Sequence, residues 1–427
     1  MTQPAFVFYG DDFTGASDTL AALARAGQRT MLFTAIPSAA QLAAAGPLDA
    51  IGIAGAARSM TPAAMRTELD AVGRFFASTG APVLHYKTCS TFDSAPHIGS
   101  IGVAVNTLRT HAPNPLVAIV GGQPGLGRYC LFGHLFAAAQ TGGEVVRLDR
   151  HPTMRQHPVT PMHESDLRLH LAAQGLEPIA SMAYPVYERA RTAQAALLDA
   201  LLATSPAAML FDVSRPADLV ELGRLLRGQA QAAPLLVVGA SSVAQAWLPA
   251  AAADPEPRIA AATGPVLVLA GSLSPMTAQQ VAAARSFEHV ALDAQRLAGF
   301  EAAAINAMVE RIAVALRQGH HVLAHTGMPD TAGRALPGST LAAAFGRLLD
   351  AALRACPVRR VGVAGGDTSS HALKALDVWG LRYAGALAPG VALCRASSNA
   401  AHLDGIELML KGGQMGAPDL FERLINP

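Results

Sequence analysis

Lysine is almost missing from this chain of 427 residues. Of its 32 basic side chains, three are lysines: Lys87, Lys374 and Lys411. Because the sequence uses arginine wherever a generic cation suffices, a lysine can mark a place where a compact ammonium is needed. Chance and nucleotide bias in the coding sequence account for the same count equally well, so the surroundings of each lysine have to decide.

Runs of like charge are also missing. The 32 basic side chains face 31 acidic ones, for a net charge of +1. No stretch carries enough charge of one sign to follow a phosphate backbone. We therefore expect no nucleic-acid partner.

The sequence also has few cysteines and no recognisable targeting signal. The cysteines are scattered, without C-x-x-C or metal-finger spacing, at Cys89, Cys130, Cys356 and Cys394. This usage fits a reducing compartment. The first residues lack the basic region of a signal peptide and soon reach two aspartates. The most apolar stretch, 232–253, is broken by proline, glycine and polar residues, which does not suit a membrane span. We expect a cytoplasmic protein without a membrane span.

Short apolar segments alternate with alanine-rich helical patterns along the whole chain, which is typical of βα units and parallel sheets. The predicted strands are Phe6–Tyr9, Thr30–Thr34, Ala50–Ala54, Val83–Tyr86, Leu116–Val120, Ala208–Phe211, Leu235–Val238, Val266–Leu269, His321–His325 and Arg360–Val363. The predicted helices are Ser17–Ala26, Pro62–Ser78, Thr192–Ala203, Pro216–Arg227, Thr277–Ser286, Phe300–Gln318 and Leu341–Ala355. The fold class is α/β.

The length exceeds what one hydrophobic core usually organises, which favours two domains. Three prolines within Pro249–Arg258 block regular structure and indicate the boundary. We predict domains at 1–249 and 259–427, each with a largely parallel sheet flanked by helices, and an active site in the cleft between them. Residues 149–164, rich in proline and histidine, read as a long ordered loop of the first domain.

The first chemical motif follows the first predicted strand, where Gly10 leads into Asp11 and Asp12 and then into a helix. Carboxyl ends of strands are where open α/β sheets build their sites. Adjacent aspartates repel one another and need a cation or hydrogen-bond donor nearby to stay ionised. A purely structural alternative has one aspartate capping the helix and the other facing water.

Two further polar loops follow strands in the first half. The loop after Val83–Tyr86 brings Lys87, Ser90 and Thr91 close together and could supply donors to a carboxylate or to hydroxyls, although an ordinary turn would look similar. The glycine-rich stretch 121–134 fits neither G-x-G-x-x-G nor G-x-x-x-x-G-K-[ST]. It therefore indicates neither a dinucleotide site nor a Walker-type loop.

The second half contains three glycine-bearing elements, at 271–275, 365–370 and 411–416. Glycines let backbone amides approach phosphate oxygens, and a helix following Thr368 would add its dipole. Three such loops in one domain suggest a nucleotide, whereas each alone would be an ordinary turn. Asp367 could hold a magnesium ion through water.

Taken together, these motifs resemble the four-carbon acid sugar kinases, which include 3-oxo-tetronate and threonate kinases. The resemblance covers nearly the whole chain and rests on the segments Gly10–Asp18, Gly127–His134, His157–Leu167, Gly271–Ser274, Gly365–Ser369 and Lys411–Gly416. It implies an N-terminal domain for the sugar acid, a C-terminal domain for ATP, and phosphate transfer to the terminal hydroxyl. The ATP-contacting positions that it implies are Ser272, Ser274, Gly365, Gly366, Asp367, Thr368, Ser369, Gly412, Gly413 and Gly416.

The chain departs from this family in one loop. The family usually reads a lysine, two residues and then Asp-Ser-Thr-Leu-Arg-Gly, or a close spacing of it, but here Cys89 replaces the aspartate and Asp93 replaces the arginine. This reverses the local charge, and it admits an oxidised or branched substrate of the 3-oxo-isoapionate type. His97, Arg128 and Arg155 are candidates for the missing cation.

The motifs lead to a mechanistic hypothesis in which Asp12 accepts the proton of the attacking hydroxyl and Asp11 orients that hydroxyl. Magnesium and Lys87 balance the charge of the transferring phosphoryl group. The partners are then ATP, Mg²⁺ and a small sugar acid, with homo-oligomerisation left open. A non-catalytic sensor of nucleotide or sugar acid and an oxidoreductase are the rivals, the latter disfavoured by the missing G-x-G-x-x-G.

Overall fold

The computed structural model describes residues 3–139, 143–157, 159–248, 257–271, 274–326 and 338–427, with only the backbone at 338, 339 and 367. The chain divides into two compact units: Met1–Met31 with Ser38–Asp254, and Leu32–Pro37 with Pro255–Pro427. Most of the predicted boundary, Pro249–Arg258, lies outside the described residues.

The first unit is built on strands, most of which are buried along their whole length. Its strands are β1 (Phe6–Gly10), β2 (Thr30–Phe33, whose last two residues belong to the second unit), β3 (Ala50–Ala54), β4 (Val83–Lys87), β5 (Val117–Gly121), β6 (Arg128–Leu131), β7 (His134–Ala138), β8 (Val145–Arg147), β9 (Ile179–Met182), β10 (Ala208–Asp212) and β11 (Leu235–Gly239). Strands β1 to β5, β10 and β11 are buried along their whole length, while β6 to β9 are partly exposed. Its helices are α1 (Phe13–Arg25), α2 (Ala39–Ala45), α3 (Pro62–Thr79), α4 (Ile101–Leu108), α5 (Leu167–Ala172), α6 (Arg191–Leu202), α7 (Pro216–Gln229) and α8 (Ser242–Trp247).

The main sheet of this unit is parallel and runs in the order β3-β1-β4-β11-β5-β10-β9. The near-continuous apolar character of β1, β3 and β11 is what a parallel sheet covered on both faces requires. Because β1 lies between β3 and β4, the loops that follow these three strands meet at one edge of the sheet. That edge carries Asp11 and Asp12.

The second unit has a mixed sheet in the order β13-β14-β12-β15-β18-β17-β16. Its strands are β12 (Val266–Ala270), β13 (Phe287–Ala291), β14 (His321–His325), β15 (Arg360–Ala364), β16 (Val378–Ala388), β17 (Val391–Ser398) and β18 (Glu407–Lys411). Its helices are α9 (Pro275–Ala283), α10 (Ala294–Ala298), α11 (Ala302–Arg317), α12 (Gly338–Ala355), α13 (Gly366–Ala375) and α14 (Leu420–Ile425). The strands from β13 to β18 in this order are parallel, whereas β17 and β16 are antiparallel.

The short segment Leu32–Pro37 belongs to this second unit. Leu32 and Phe33 pair with Leu381 and Gly380 of β16 in antiparallel register. The ring of Phe33 stacks on Trp379 at a centroid distance of 6.1 Å. A segment from near the N-terminus of the chain therefore pairs with β16 and is part of the second unit.

The predicted α/β class is confirmed, and each predicted strand lies within one residue of an observed one. Helix α1 starts four residues earlier than predicted, at Phe13, because Asp12 caps it. The hairpin β6–β7 was not predicted, since its glycines suggested a loop. Its turn is fixed by the buried Asp212, which accepts hydrogen bonds from the backbone N–H groups of Phe132 and Gly133.

Candidate active site

Asp12 is a fully engaged carboxylate at the start of α1. One oxygen accepts the backbone N–H of Gly15 at 2.8 Å, and the other accepts the hydroxyl of Thr14 at 2.6 Å. The guanidinium of Arg58 also donates to Asp12, and the ammonium of Lys87 lies 4.0 Å away. The capping alternative is therefore correct for Asp12, but the residue carries an ion pair at the same time.

Lys87 lies directly over the first turn of α1. A Cβ atom placed on Gly15 would come within 1.8 Å of the Lys87 Nζ, so this position of the helix can hold only glycine while the ammonium stays in place. Lys87 is the last residue of β4 and is buried. Lys87 therefore lies beside Asp12, while its role in balancing the charge of the phosphoryl group stays a prediction.

Arg58 is a second cation of the cluster that the sequence motifs did not identify. It lies on a short 3₁₀ turn after β3, where its backbone N–H bonds to the carbonyl of Asp11. Its guanidinium lies between two carboxylates, donating to Asp12 and approaching Asp93 at 3.9 Å. The one available signal was that Arg58 follows a predicted strand.

Asp11 differs from its neighbour in having few partners. It is buried, and its Oδ2 accepts only a long bond of 3.3 Å from the backbone N–H of Cys89. Within the described residues, Asp11 Oδ1 has no hydrogen-bond partner, and neither does the nearby buried hydroxyl of Thr88. A buried carboxylate oxygen without a donor is rare and points to a group that is supplied from outside.

The different partners separate the acidities of the two aspartates. Burial raises the pKa of Asp11 to about 6, against the opposing effect of Lys87 and Arg58. Burial acts on Asp12 too, but Arg58, Lys87 and the donors from Thr14 and Gly15 outweigh it and hold the pKa of Asp12 at about 2. Asp12 is therefore ionised at neutral pH. Asp11, in contrast, gains and loses its proton at a pH only slightly below neutral.

The loop after β4 is organised around Asp93. The hydroxyl of Thr91 donates to Asp93 at 2.6 Å and lies 3.1 Å from the Cys89 sulfur. Burial and the negative charge of Asp93 raise the pKa of the Cys89 thiol to about 11. The thiol is thus neutral and weakly polar where it borders the site. Ser90 is part-exposed in the same loop.

The three predicted substitutes for the missing cation lie in different surroundings. Arg128 is half-buried on β6, donates to the carbonyl of Leu126, and its Nε has no partner among the described residues. His97 and Arg155 are exposed. No described contact joins these two residues to the acid cluster, so their role in substrate binding stays a prediction.

A further polar cluster at the same edge of the sheet was not predicted. The hydroxyl of Ser241, after β11, donates to Asp18 on α1, and the side chain of Gln123, after β5, donates to both. Ser241 and Gln123 are buried. Sequence separation hides this cluster, because its members come from three distant segments.

In the second unit, three glycine loops follow three neighbouring parallel strands. Gly271 follows β12, Gly365 follows β15 and Gly412 follows β18, and these strands are adjacent in the order β12-β15-β18. The backbone connects the loops, since Gly271 N–H bonds to Ala364 and Gly365 N–H bonds to Lys411. The three predicted nucleotide elements are therefore neighbours.

The local geometry of these loops depends on glycine at two places. Gly365 has a φ of 123°, which side chains with a Cβ rarely adopt, and it precedes the first residue of α13. A Cβ on Gly271 would approach the hydroxyl of Thr368 to 2.7 Å. The loops after β12 and β15 thus pack closely, leaving the N-terminal end of α13 beside the first of them.

Most predicted nucleotide-contacting residues can be placed in these loops. Ser274 caps α9 and donates to the carbonyl of Gly413, while Gly416 has a φ of 84°. Thr368 and Ser369 are buried in the first turn of α13. Ser272 and the side chain of Asp367 lie outside the described part of the structure, so the predicted metal role of Asp367 stays a prediction.

In the described ranges, no group of three or more histidine, cysteine, aspartate or glutamate side chains is placed to hold a metal ion. None of the described helices combines the length and the apolar character needed to cross a bilayer.

Comparison with known families identifies the class of protein. The family model described as "Sugar-binding N-terminal domain" matches residues 6–247, and the model described as "Nucleotide-binding C-terminal domain" matches residues 267–421. The first match alone spans more than half of the chain. The protein belongs to this family, and its resemblance to the four-carbon acid sugar kinases is confirmed.

Two proteins of similar sequence are named as sugar-acid kinases. The chain is 38% identical to the 3-oxo-isoapionate kinase of Paraburkholderia graminis, covering 97% of this chain and 92% of that protein. It is 32% identical to the 3-oxo-tetronate kinase of Methylobacterium radiotolerans, covering 97% of both.

Two solved structures share the fold. One is a Salmonella typhimurium LT2 protein described as a tRNA synthase, with a TM-score of 0.82, 24% identity and coverage of 99% of this chain and 98% of that one. The other is a Haemophilus influenzae protein with a TM-score of 0.73, 24% identity and coverage of 98% of both chains.

Proposed function

We propose that this protein is an ATP-dependent kinase that phosphorylates the terminal hydroxyl of a small sugar acid. The substrate class is a four-carbon acid such as threonate, erythronate or 3-oxo-tetronate, or a closely related oxo or branched acid. The observation that carries the proposal is the buried acid pair flanked by two cations, in the unit that belongs to a sugar-binding family. Near full-length identity to sugar-acid kinases supports it.

The contacts favour Asp11, not Asp12, as the general base. A base has to accept a proton at working pH and must have an oxygen available for it. Asp11 meets both requirements, with an unpartnered Oδ1 and a pKa of about 6. Asp12 has its oxygens committed to Arg58, Thr14 and Gly15. We assign to Asp12 the task of holding Arg58 and Lys87 in place.

Phosphoryl transfer needs positioning and charge neutralisation more than covalent help. Lys87 and Arg58 supply positive charge beside the attacking hydroxyl, and the three glycine loops supply backbone N–H groups to ATP. Mg²⁺ supplies further neutralisation of the phosphates when it is bound. Asp367 would hold the ion through water, with phosphate oxygens as the remaining ligands, as is common for Mg²⁺.

A branched 3-oxo acid of the isoapionate type is the second candidate substrate. Two observations favour it: the 38% identity to a 3-oxo-isoapionate kinase, and the position of Asp93 beside Arg58. With Asp12 and Asp93 both near its guanidinium, Arg58 has little positive charge left for a substrate carboxylate. The cluster is better suited to hydroxyl and keto groups, of which a branched acid offers several.

A coupled assay of ADP release over a panel of acids tests the proposal. The panel contains threonate, erythronate, their 3-oxo forms and a 3-oxo branched acid, each with ATP and Mg²⁺. We expect turnover with at least one of them. Such an enzyme would work in the cytoplasm, where ATP is available. Binding of ADP without turnover on any member would instead favour a sensor, and reduction of a nicotinamide cofactor would favour an oxidoreductase.

A further inference from the structure

Lys411 is a buried lysine to which the proposed mechanism assigns no task. It is the last residue of β18, and its relative exposure is 0%. Its hydrogen-bond acceptors among the described residues are neutral oxygens: the ammonium donates to the hydroxyl of Thr277 at 3.0 Å, to Gln280 Oε1 at 2.6 Å and to the carbonyl of Gly413 at 3.3 Å. It also lies over the ring of Phe421, 6.0 Å from the ring centroid. Burying an ammonium costs free energy even when it is hydrogen-bonded, so its retention calls for a reason.

The carbonyl of Gly413 is the centre of this arrangement. Besides Lys411, the hydroxyls of Ser274 and Thr277 both donate to it. Gln280, which accepts from Lys411, also donates from its Nε2 to the carbonyls of Met415 and Ala417 at 3.0 Å each. The loop after β18 is thus attached to α9 along its length, and the ammonium of Lys411 lies at the start of that attachment.

Lys411 also connects this loop with the other two through its backbone and neighbours. Its carbonyl accepts the N–H of Gly365, the glycine that precedes α13. Ser274, which shares the Gly413 carbonyl with Lys411, belongs to the loop after β12. One residue therefore contacts, directly or through one shared atom, each of the three loops.

We propose that Lys411 is a positioning residue for nucleotide, which fixes the three glycine loops in the arrangement that receives the ATP phosphates. This inference rests on the proposed function, because it concerns the nucleotide site of the proposed kinase. It explains why a lysine is present: a single ammonium can donate to three oxygens that do not lie in one plane, whereas a guanidinium donates only within its own plane. Burial lowers the pKa of Lys411 to about 7, which reflects the free-energy cost of keeping an ammonium in this site.

The test is Lys411→Met, which keeps the length of the side chain and removes the donors. We expect the Kd for ADP and the KM for ATP to rise on the order of 10- to 100-fold, as misplaced binding groups typically cause. The KM for the sugar acid should not change. Backbone amides at 412–417 should exchange hydrogen for deuterium faster in the variant without nucleotide. Lys374→Met is the matched control, since Lys374 is an exposed lysine of the same unit.

The thermal midpoint distinguishes positioning from a merely structural role. Since Lys411→Met removes a desolvated ammonium but also leaves the buried Gln280 Oε1 without its donor, the two effects oppose one another, and we expect a midpoint close to that of the wild type. Unchanged ADP affinity, or unchanged amide exchange at 412–417, would overturn the inference, and so would a lowered midpoint with normal affinity. Thr277→Val, which removes one shared hydroxyl, should weaken ADP binding by a smaller factor and keeps the test decisive if Lys411→Met does not fold.

These measurements separate the inference from the proposed function. If no sugar acid is phosphorylated, the proposed function fails, while ADP affinity and amide exchange still decide the role of Lys411. If turnover is found and Lys411→Met behaves like Lys374→Met, the function stands and the inference fails.

Discussion

The two units build their candidate sites at the same place in a sheet but with different chemistry. Each uses the loops after three neighbouring parallel strands: β3, β1 and β4 in one, and β12, β15 and β18 in the other. The first places charged side chains there, and Asp12, Arg58, Lys87 and Asp93 largely compensate one another. The second places glycines and a single buried lysine bonded to neutral oxygens. Sheet geometry thus provides the location, and the residue types decide whether charge or backbone shape does the binding.

The largest effect that this contrast predicts is in the charged site. Asp11→Asn should lower kcat on the order of 10²-fold or more, because the proton acceptor is lost. In the wild type, kcat/KM should fall as the pH drops below about 6, where Asp11 becomes protonated. Steady-state kinetics from pH 5 to 9 measure both.

Asp12→Asn is the matched control. We expect it to lose activity through the displaced Arg58 and Lys87 while keeping the decline below pH 6. Near-normal turnover of Asp11→Asn would return the role of base to Asp12.

A smaller effect is expected when charge compensation is broken from the cationic side. Arg58→Met leaves Asp12 and Asp93 without their shared guanidinium. We expect the KM for the sugar acid to rise roughly tenfold, in line with the loss of a charge-assisted hydrogen bond. The free energy of unfolding should fall by about 2 kcal/mol, less than for a fully buried pair because the Arg58 side chain is 23% exposed. Substrate titrations and urea unfolding measure these quantities, with exposed Arg66→Met as control. An unchanged KM would remove Arg58 from the site.

The two aspartates should affect stability in opposite directions. The pKa of Asp11 in the folded protein is raised, so its stabilising contribution is full below about 3.8 and is lost as pH rises through about 6. The pKa of Asp12 is lowered, so its contribution is present above about 3.8 and is lost as pH falls through about 2. At pH 8, Asp11→Asn should raise the free energy of unfolding by about 1–2 kcal/mol, and Asp12→Asn should lower it by at least as much. Denaturant unfolding at pH 8 checks this, and a fall in both variants would contradict it.

The smallest expected effect concerns Cys89. Since burial and Asp93 raise the pKa of this thiol to about 11, it should resist iodoacetamide at pH 8, and Cys89→Ser should change kcat by no more than about threefold. Peptide mass mapping after alkylation gives the extent of modification. Rapid alkylation of Cys89 would mean that the loop after β4 is more open than its contacts indicate.

The sequence predicted what depends on local pattern. Asp11, Asp12 and Lys87 were identifiable because each follows an apolar strand, and β1 and β4 have clear boundaries. Arg58 was not, because the strand order that brings β3 next to β1 cannot be read from the chain. The sequence alone assigned the role of base to Asp12, whereas the contacts lead us to propose Asp11, because local sequence does not tell which of two adjacent carboxylates will find donors.

Larger elements escaped prediction for a related reason. Strands β16 and β17 were not predicted, because Gly380 and Gly385 interrupt the apolar pattern of the first and the pairing contains register shifts. Antiparallel pairing at these strands is decided by tertiary contacts more than by local preference. The parallel strands β9, β13 and β18 were not predicted either. The class of fold was nevertheless correct, because most of the other parallel strands carry a strong local signal.

The segment Leu32–Pro37 has a consequence for taking this protein apart. Because these six residues belong to the second unit, a fragment that starts after residue 254 would lack the piece that pairs with Gly380 and Leu381. The freed backbone groups on that side of β16 would then be open to other chains, the usual origin of edge-to-edge association. A recombinant C-terminal half would need that short peptide restored, by fusion or by addition, before its behaviour could represent the nucleotide-binding half of the intact chain.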